Sequence, residues 1–259
     1  MAAERKSNRR IGNKWDLSTD IRDGTITLSR DEREWIRGLY GGEVLYVDQN
    51  IGRFLDVLKQ TNQYEDSLIL LTSDHGEELW EHGGFEHGRS LCNEVLHVPL
   101  FIKLPQSSSK ARIDRIVQTT SIMPTVLEVC GINYDRQHLS ASPLTPLWKV
   151  DAGMFDEQPV VSSGLLFYED RDSLFIKGMK YIKYRVTDRE ELYDLGKDHR
   201  QLYNVASENP AIVNEARTVM NQYHAEIERL RKFYRTEKAE EIQLSPEAIK
   251  SLKSLGYVK

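Results

Sequence analysis

Between Leu68 and Pro99 the chain crowds carboxylates and imidazoles among glycines. The apolar run Leu68-Ile69-Leu70-Leu71 stops at Thr72-Ser73, and Asp74-His75-Gly76 follows at once. His82 and His87 come next, in a glycine-rich segment able to fold back over the end of the run. A carboxylate beside an imidazole suits a hard-to-borderline divalent ion. Such an ion can neutralise and orient an oxygen of a sulfate or phosphate ester. The plainer role for Asp74 is to cap a helix starting near Gly76. His87 has the pKa range of a proton or hydrogen-bond donor; its plainer role is to cap loop carbonyls. Arg89 could bind an anion through its planar fork or simply be solvated. His82, between Glu81 and Gly83-Gly84, reads as a surface or structural residue with a weaker claim on substrate. Glu77, Glu78 and Glu81 could tune a metal from outside its ligand shell, but a solvated helix face is the default.

The elements around this stretch must place it. Ser29-Arg30-Asp31-Glu32 has the pattern of a capping box, and helical spacing runs from there to about Gln60, with Tyr46, Val47, Ile51, Phe54, Leu55 and Leu58 as its apolar stripe. Gly41-Gly42 is a candidate kink. Leu68–Thr72 then reads as a strand buried on both faces, which makes a helix–strand crossover unit. Ligand groups in open α/β sheets collect beyond the carboxyl ends of such strands, where Asp74 and His75 fall. Val98 to Lys103 reads as a second strand, Arg115 to Val117 as a short one, and Pro124 to Gly131 as a helix with proline at its start and glycine at its end. After Pro159 short β-type runs separated by turns suggest an antiparallel sheet. Pro210 to Arg235 reads as one amphipathic helix, and Pro246 to Leu255 as a short terminal one.

Composition narrows the function classes. The chain has 259 residues, 29% of them charged, and a net charge of −5. That is the profile of a soluble globular protein long enough for a sizeable core, with no electrostatic case for nucleic acid. No apolar run approaches the ~18 residues of a membrane span. The basic, polar first ten residues lack the apolar centre of a signal peptide. Two cysteines, both inside apolar patterns, make no disulfide framework.

Four ordered segments resemble the sulfatases of the alkaline phosphatase superfamily. The first runs from Ser73-Asp74-His75-Gly76-Glu77 through His87-Gly88-Arg89-Ser90-Leu91 to His97-Val98-Pro99-Leu100. The second is Ser121-Ile122-Met123-Pro124-Thr125 with Cys130-Gly131-Ile132, where the family usually has Asp at the position of Ser121. The third is Glu191-Leu192-Tyr193-Asp194-Leu195 with Asn204-Val205-Ala206. The fourth is Leu244-Ser245-Pro246-Glu247 with Leu255-Gly256-Tyr257-Val258. The resemblance implies that Asp74 and His75 are metal ligands, with calcium first and magnesium, manganese or zinc as alternatives. It implies that His87 stands near the leaving-group oxygen; Arg89 and His82 are lesser substrate candidates on side-chain chemistry alone. The family's nucleophile lies in a Cys/Ser-x-Pro-x-Arg motif whose first residue becomes formylglycine, and no such motif occurs in this chain.

The resulting expectation is the C-terminal part of a sulfatase: an α/β sandwich with a mainly parallel sheet, followed by a small antiparallel α+β subdomain. The boundaries are an irregular segment 1–28, the catalytic part 29–158, the small subdomain 159–235 and a tail 236–259. In a complete relative the activity would be hydrolysis of sulfate esters, with this chain alone inactive. The rival readings are a phosphoester or phosphonate hydrolase, or a phosphoethanolamine-type transferase, of the same superfamily, and a non-catalytic chain or subunit. Partners would be a sulfate-ester substrate and either a complementing N-terminal half or a second copy of the chain. Complete relatives are often periplasmic, extracellular or lysosomal.

Overall fold

The computed structural model describes residues 20–21, 24–148, 159–165, 169–235 and 245–249. Helix α1 (Arg30–Gln60) opens on the expected capping box: Ser29 Oγ accepts from the backbone N–H of Glu32, and the Glu32 carboxylate accepts from the Ser29 N–H at 2.7 Å. It runs unbroken through Gly41-Gly42. None of its described residues is buried, and Trp35, Leu45, Tyr46, Val47 and Phe54 are more than half exposed.

Strand β1 (Ile69–Thr72) follows, then the two-residue strands β2 (Glu78–Leu79) and β3 (Phe85–Glu86), the one-turn helix α2 (Asn93–Leu96), and β4 (Leu100–Lys103). β1 pairs with β4 in antiparallel register, Ile69 opposite Lys103 and Thr72 opposite Leu100. Every ladder among the described residues is antiparallel, so the mainly parallel sheet expected from the sequence is corrected. A parallel pair needs a crossover that carries the chain back to its starting end. Here the hairpin and α2 return the chain beside β1 in the opposite direction. Among the described residues β1 has a partner on one edge only, and its residues are half-buried or exposed rather than covered on both faces.

Helix α3 (Ile122–Val129) has Pro124 in its first turn and ends before Gly131, whose φ of +67° suits glycine. No strand forms at Arg115 to Val117. The C-terminal unit is the antiparallel sheet that the turn spacing suggested: β5 (Val160–Ser163), β6 (Arg171–Ile176), β7 (Met179–Tyr184) and β8 (Glu190–Asp194), in sequential order. Helix α4 (Pro210–Tyr234) lies on one face and contributes Val213, Ala216 and Met220 to a core with Val161, Leu174, Tyr181 and Leu192. The calls on residues 1–19, on the tail from 236 to 244 and on 250–259 lie outside the described residues; 246–249 are helical.

Candidate active site at the end of strand β1

Asp74 and His75 stand just past Thr72, where β1 ends. No helix starts at Gly76, so Asp74 is not an N-cap. Its Oδ1 instead accepts from the His75 N–H at 3.0 Å. That bond is the main reason its carboxyl titrates below the usual range. The side chain stays exposed. His75 Nδ1 lies 2.9 Å from the Gly76 carbonyl, to which a proton on that nitrogen would be donated. The tautomer so favoured leaves Nε2 as an acceptor, 3.6 Å from Asp74 Oδ2.

The glycine between these residues and α2 is a packing requirement. The Gly76 N–H donates to the Val95 carbonyl at 2.8 Å, and a Cβ on Gly76 would come within 2.0 Å of the Glu94 carbonyl oxygen. The chain then forms the β2–β3 hairpin. Its organiser is Glu78, 2% exposed. The Glu78 carboxylate accepts from the N–H groups of His82 (3.2 Å) and Gly84 (2.8 Å) and from Ser90 Oγ (3.1 Å). The hairpin leans on α1: Trp80 stacks on Phe85 at 4.6 Å, and Arg33 and Arg37 sit over the indole at 5.2 and 5.8 Å.

This return brings His87 back onto His75. Their rings stack with centroids 3.8 Å apart. His87 Nδ1 is 2.9 Å from Glu77 Oε1, and that hydrogen bond is the largest cause raising the pKa of the imidazole. The other Glu77 oxygen, Oε2, is buried and accepts no hydrogen bond. Ligand-type atoms of His75, Glu77 and His87 lie within 4.8 Å of one another. Thus Asp74, His75 and His87 come together. Arg89 is 7% exposed, too buried to be a solvated arginine. His82 turns instead toward Glu94, at 3.4 Å.

Glu77 and Glu78 overturn the default of a solvated helix face: one clasps His87, the other is the buried core of the hairpin. The only sequence signal was their place between Asp74-His75 and a cluster of glycines. A groove of about 1190 Å³ opens beside Asp74 and His75, walled in part by Phe101, Ile113, Ile116, Lys110 and Arg112.

Behind the site, the C-terminal sheet braces α2. Lys180 on β7 donates to Asn93 Oδ1 at 2.9 Å, and the Asn93 N–H donates to Gln201 Oε1 at 3.1 Å. Lys180 is 4% exposed, and burial pushes its ammonium down to about 8. Cys92, the N-cap of α2, has its thiol pushed up to about 11, again mainly by burial.

Residues 11–132 match the sulfatase family model. A sulfatase from Formosa agariphila is 32% identical over 165 residues, which are 63% of this chain and 31% of that protein. Across this segment the chain is similar to the sulfatase family. Two solved structures share the fold. One, in complex with its substrate D-glucosamine-2-N,6-O-disulfate, gives a TM-score of 0.60 at 22% identity over 77% of this chain and 41% of that one. The other, a phosphonate monoester hydrolase from Silicibacter pomeroyi, gives 0.64 at 20% identity over 86% and 46%. The chain spans about a third of the length of the Formosa sulfatase.

Proposed function

We propose that this chain supplies the metal-binding and imidazole side of a sulfate-ester hydrolase. The observation that carries the reading is the placement of Asp74, His75 and His87 around one point at the end of β1. Asp74 Oδ2 and His75 Nε2 would hold a divalent ion; their 3.6 Å separation suits two ligands each ~2.0–2.5 Å from a shared centre. Glu77 Oε2, on the carboxylate that clasps His87, is buried without a hydrogen bond, which would suit a cation nearby. Bound there, a divalent ion supplies Lewis-acid neutralisation of a sulfate oxygen. Calcium is the first candidate, with magnesium, manganese and zinc behind it.

The chain's own residues do the rest. The Gly76 carbonyl holds His75 in the ligating tautomer. Glu77 holds the His87 ring and favours its protonated form. Nε2 of His87 is then a donor for the departing ester oxygen. The basic flank of the groove, with Lys110 and Arg112, favours an anionic substrate. The formylglycine motif does not occur in the sequence, so the nucleophile would come from polypeptide beyond this chain. The apolar face of α1 is where that polypeptide would pack. Phosphonate ester hydrolysis is the second reading. It is favoured by the fold shared with the Silicibacter enzyme and by a donor set that serves either tetrahedral oxyanion.

The test uses an aryl sulfate and an aryl phosphonate ester, each with added calcium. The chain alone should turn over neither, since two ligands fall far short of the ~6–8 oxygens such ions take. Co-expression with the nucleophile-bearing half of a related sulfatase should restore sulfate cleavage, reduced ~10²-fold or more in His87→Gln. Restored phosphonate cleavage without sulfate cleavage would select the second reading. Turnover by the chain alone that vanishes in Asp74→Ala would sink the idea that its nucleophile lies elsewhere.

A further inference from the structure

A second trio of ligand-type side chains lies where the hairpin meets α2, and the ester site does not use it. Ligand-type atoms of His82, Cys92 and Glu94 are within 4.8 Å of one another. His82 comes from the turn between β2 and β3, Cys92 caps α2, and Glu94 is in the first turn of that helix. Nε2 of His82 and Oε2 of Glu94 are 3.4 Å apart, yet both atoms are buried and neither makes a hydrogen bond. Buried polar atoms are nearly always partnered, so two orphans facing each other beside a thiol mark the place of a missing partner. Glu78 cannot fill it, because its carboxylate is committed to His82, Gly84 and Ser90.

Sulfur, imidazole nitrogen and carboxylate oxygen together select a borderline-soft ion over calcium or magnesium. We propose that His82, Cys92 and Glu94 bind a zinc-class divalent ion that ties the β2–β3 hairpin to α2. With three protein ligands, a tetrahedral ion keeps its fourth position for water. On binding, the Cys92 thiol gives its proton to solvent and the sulfur coordinates as thiolate, with no change of oxidation state. The ion would fasten both walls of the fold behind His75, since α2 holds Gly76 and the hairpin delivers His87. The inference takes His82, a lesser substrate candidate by sequence, for the ion instead and uses none of Asp74, His75, Glu77 and His87, so the two readings can fail separately.

Cobalt(II) titrated into the purified full chain serves as a coloured stand-in for zinc. A thiolate ligand produces a sulfur-to-cobalt charge-transfer band that nitrogen and oxygen ligands do not. The expected result is such a band saturating at a single equivalent and displaced by zinc. Cys92→Ser should abolish it, whereas Cys130→Ser and Asp74→Ala should retain it. His82→Gln should weaken cobalt binding by about 100-fold or more, given that even supporting residues around a metal are worth ~10–100-fold. If the unaltered chain shows no thiolate band, the proposal is wrong whatever the variants do. A band that survives Cys92→Ser and disappears in Cys130→Ser overturns it equally.

Discussion

At the scale of single residues, the Glu77–His87 pair is the most measurable feature of the candidate site. Glu77 raises the His87 pKa through its hydrogen bond, and burial pulls the other way. Because the folded-state pKa is raised, the pairing stabilises the protein fully below the ordinary histidine value of ~6.5. The contribution fades as pH rises through the raised value. Glu77→Gln should therefore bring the His87 titration, followed by NMR of the imidazole, back toward that value. It should also lower stability to urea at pH ~5.5 more than at pH ~9. A titration that does not move would show that Glu77 is a neighbour of His87 and not its partner. Asp74, His75 and His87 were legible in the sequence because their types and family pattern are explicit. Glu77 and Glu78 were not: two adjacent glutamates look solvent-facing until the hairpin places four donors around them.

At the scale of elements, the decisive contact is Gly76 against α2. Its N–H bonds Val95, and its missing Cβ leaves room for the Glu94 carbonyl. Gly76→Ala must push β1's end away from α2, and a cost of ~1–3 kcal/mol is expected, as for other overpacked sites. Urea melts of the two proteins measure it directly; an unchanged midpoint would mean the loop slides aside freely. Local signals set the helices accurately, with the box at Ser29-Glu32, Pro124 and Pro210 all marking starts that the structure keeps. The small sheet was legible too, since each of its strands is bounded by turn residues. The direction of pairing between β1 and β4 was not, because an apolar run of four residues has no preference for a parallel or antiparallel neighbour. Arg115 to Val117 shows the same limit: a short run with β-type residues does not by itself bring a pairing partner alongside.

At the scale of the whole molecule, burial is lopsided. The C-terminal sheet and α4 close a dry core around Tyr181 and Leu192, both with no exposed surface. Helix α1 meets the hairpin through Arg33 and Arg37 but leaves Trp35, Leu45, Tyr46 and Phe54 facing solvent over more than half their area. Contiguous apolar surface of this kind drives association. Sedimentation velocity should find the chain concentration-dependent in size, and Tyr46→Glu with Phe54→Glu should shift it toward monomer; a monomer at all concentrations would count against that face as an interface. Lys180, Asn93 and Gln201 give the arrangement one further meaning. Asn93 belongs to the motif-bearing half and the other two to the C-terminal unit, yet they form a single joint. Recombination between relatives that exchanged the terminal sheet alone would split this joint between two lineages. A cut just before Val160 would therefore separate Lys180 and Gln201 from the Asn93 they hold, leaving α2 without its prop.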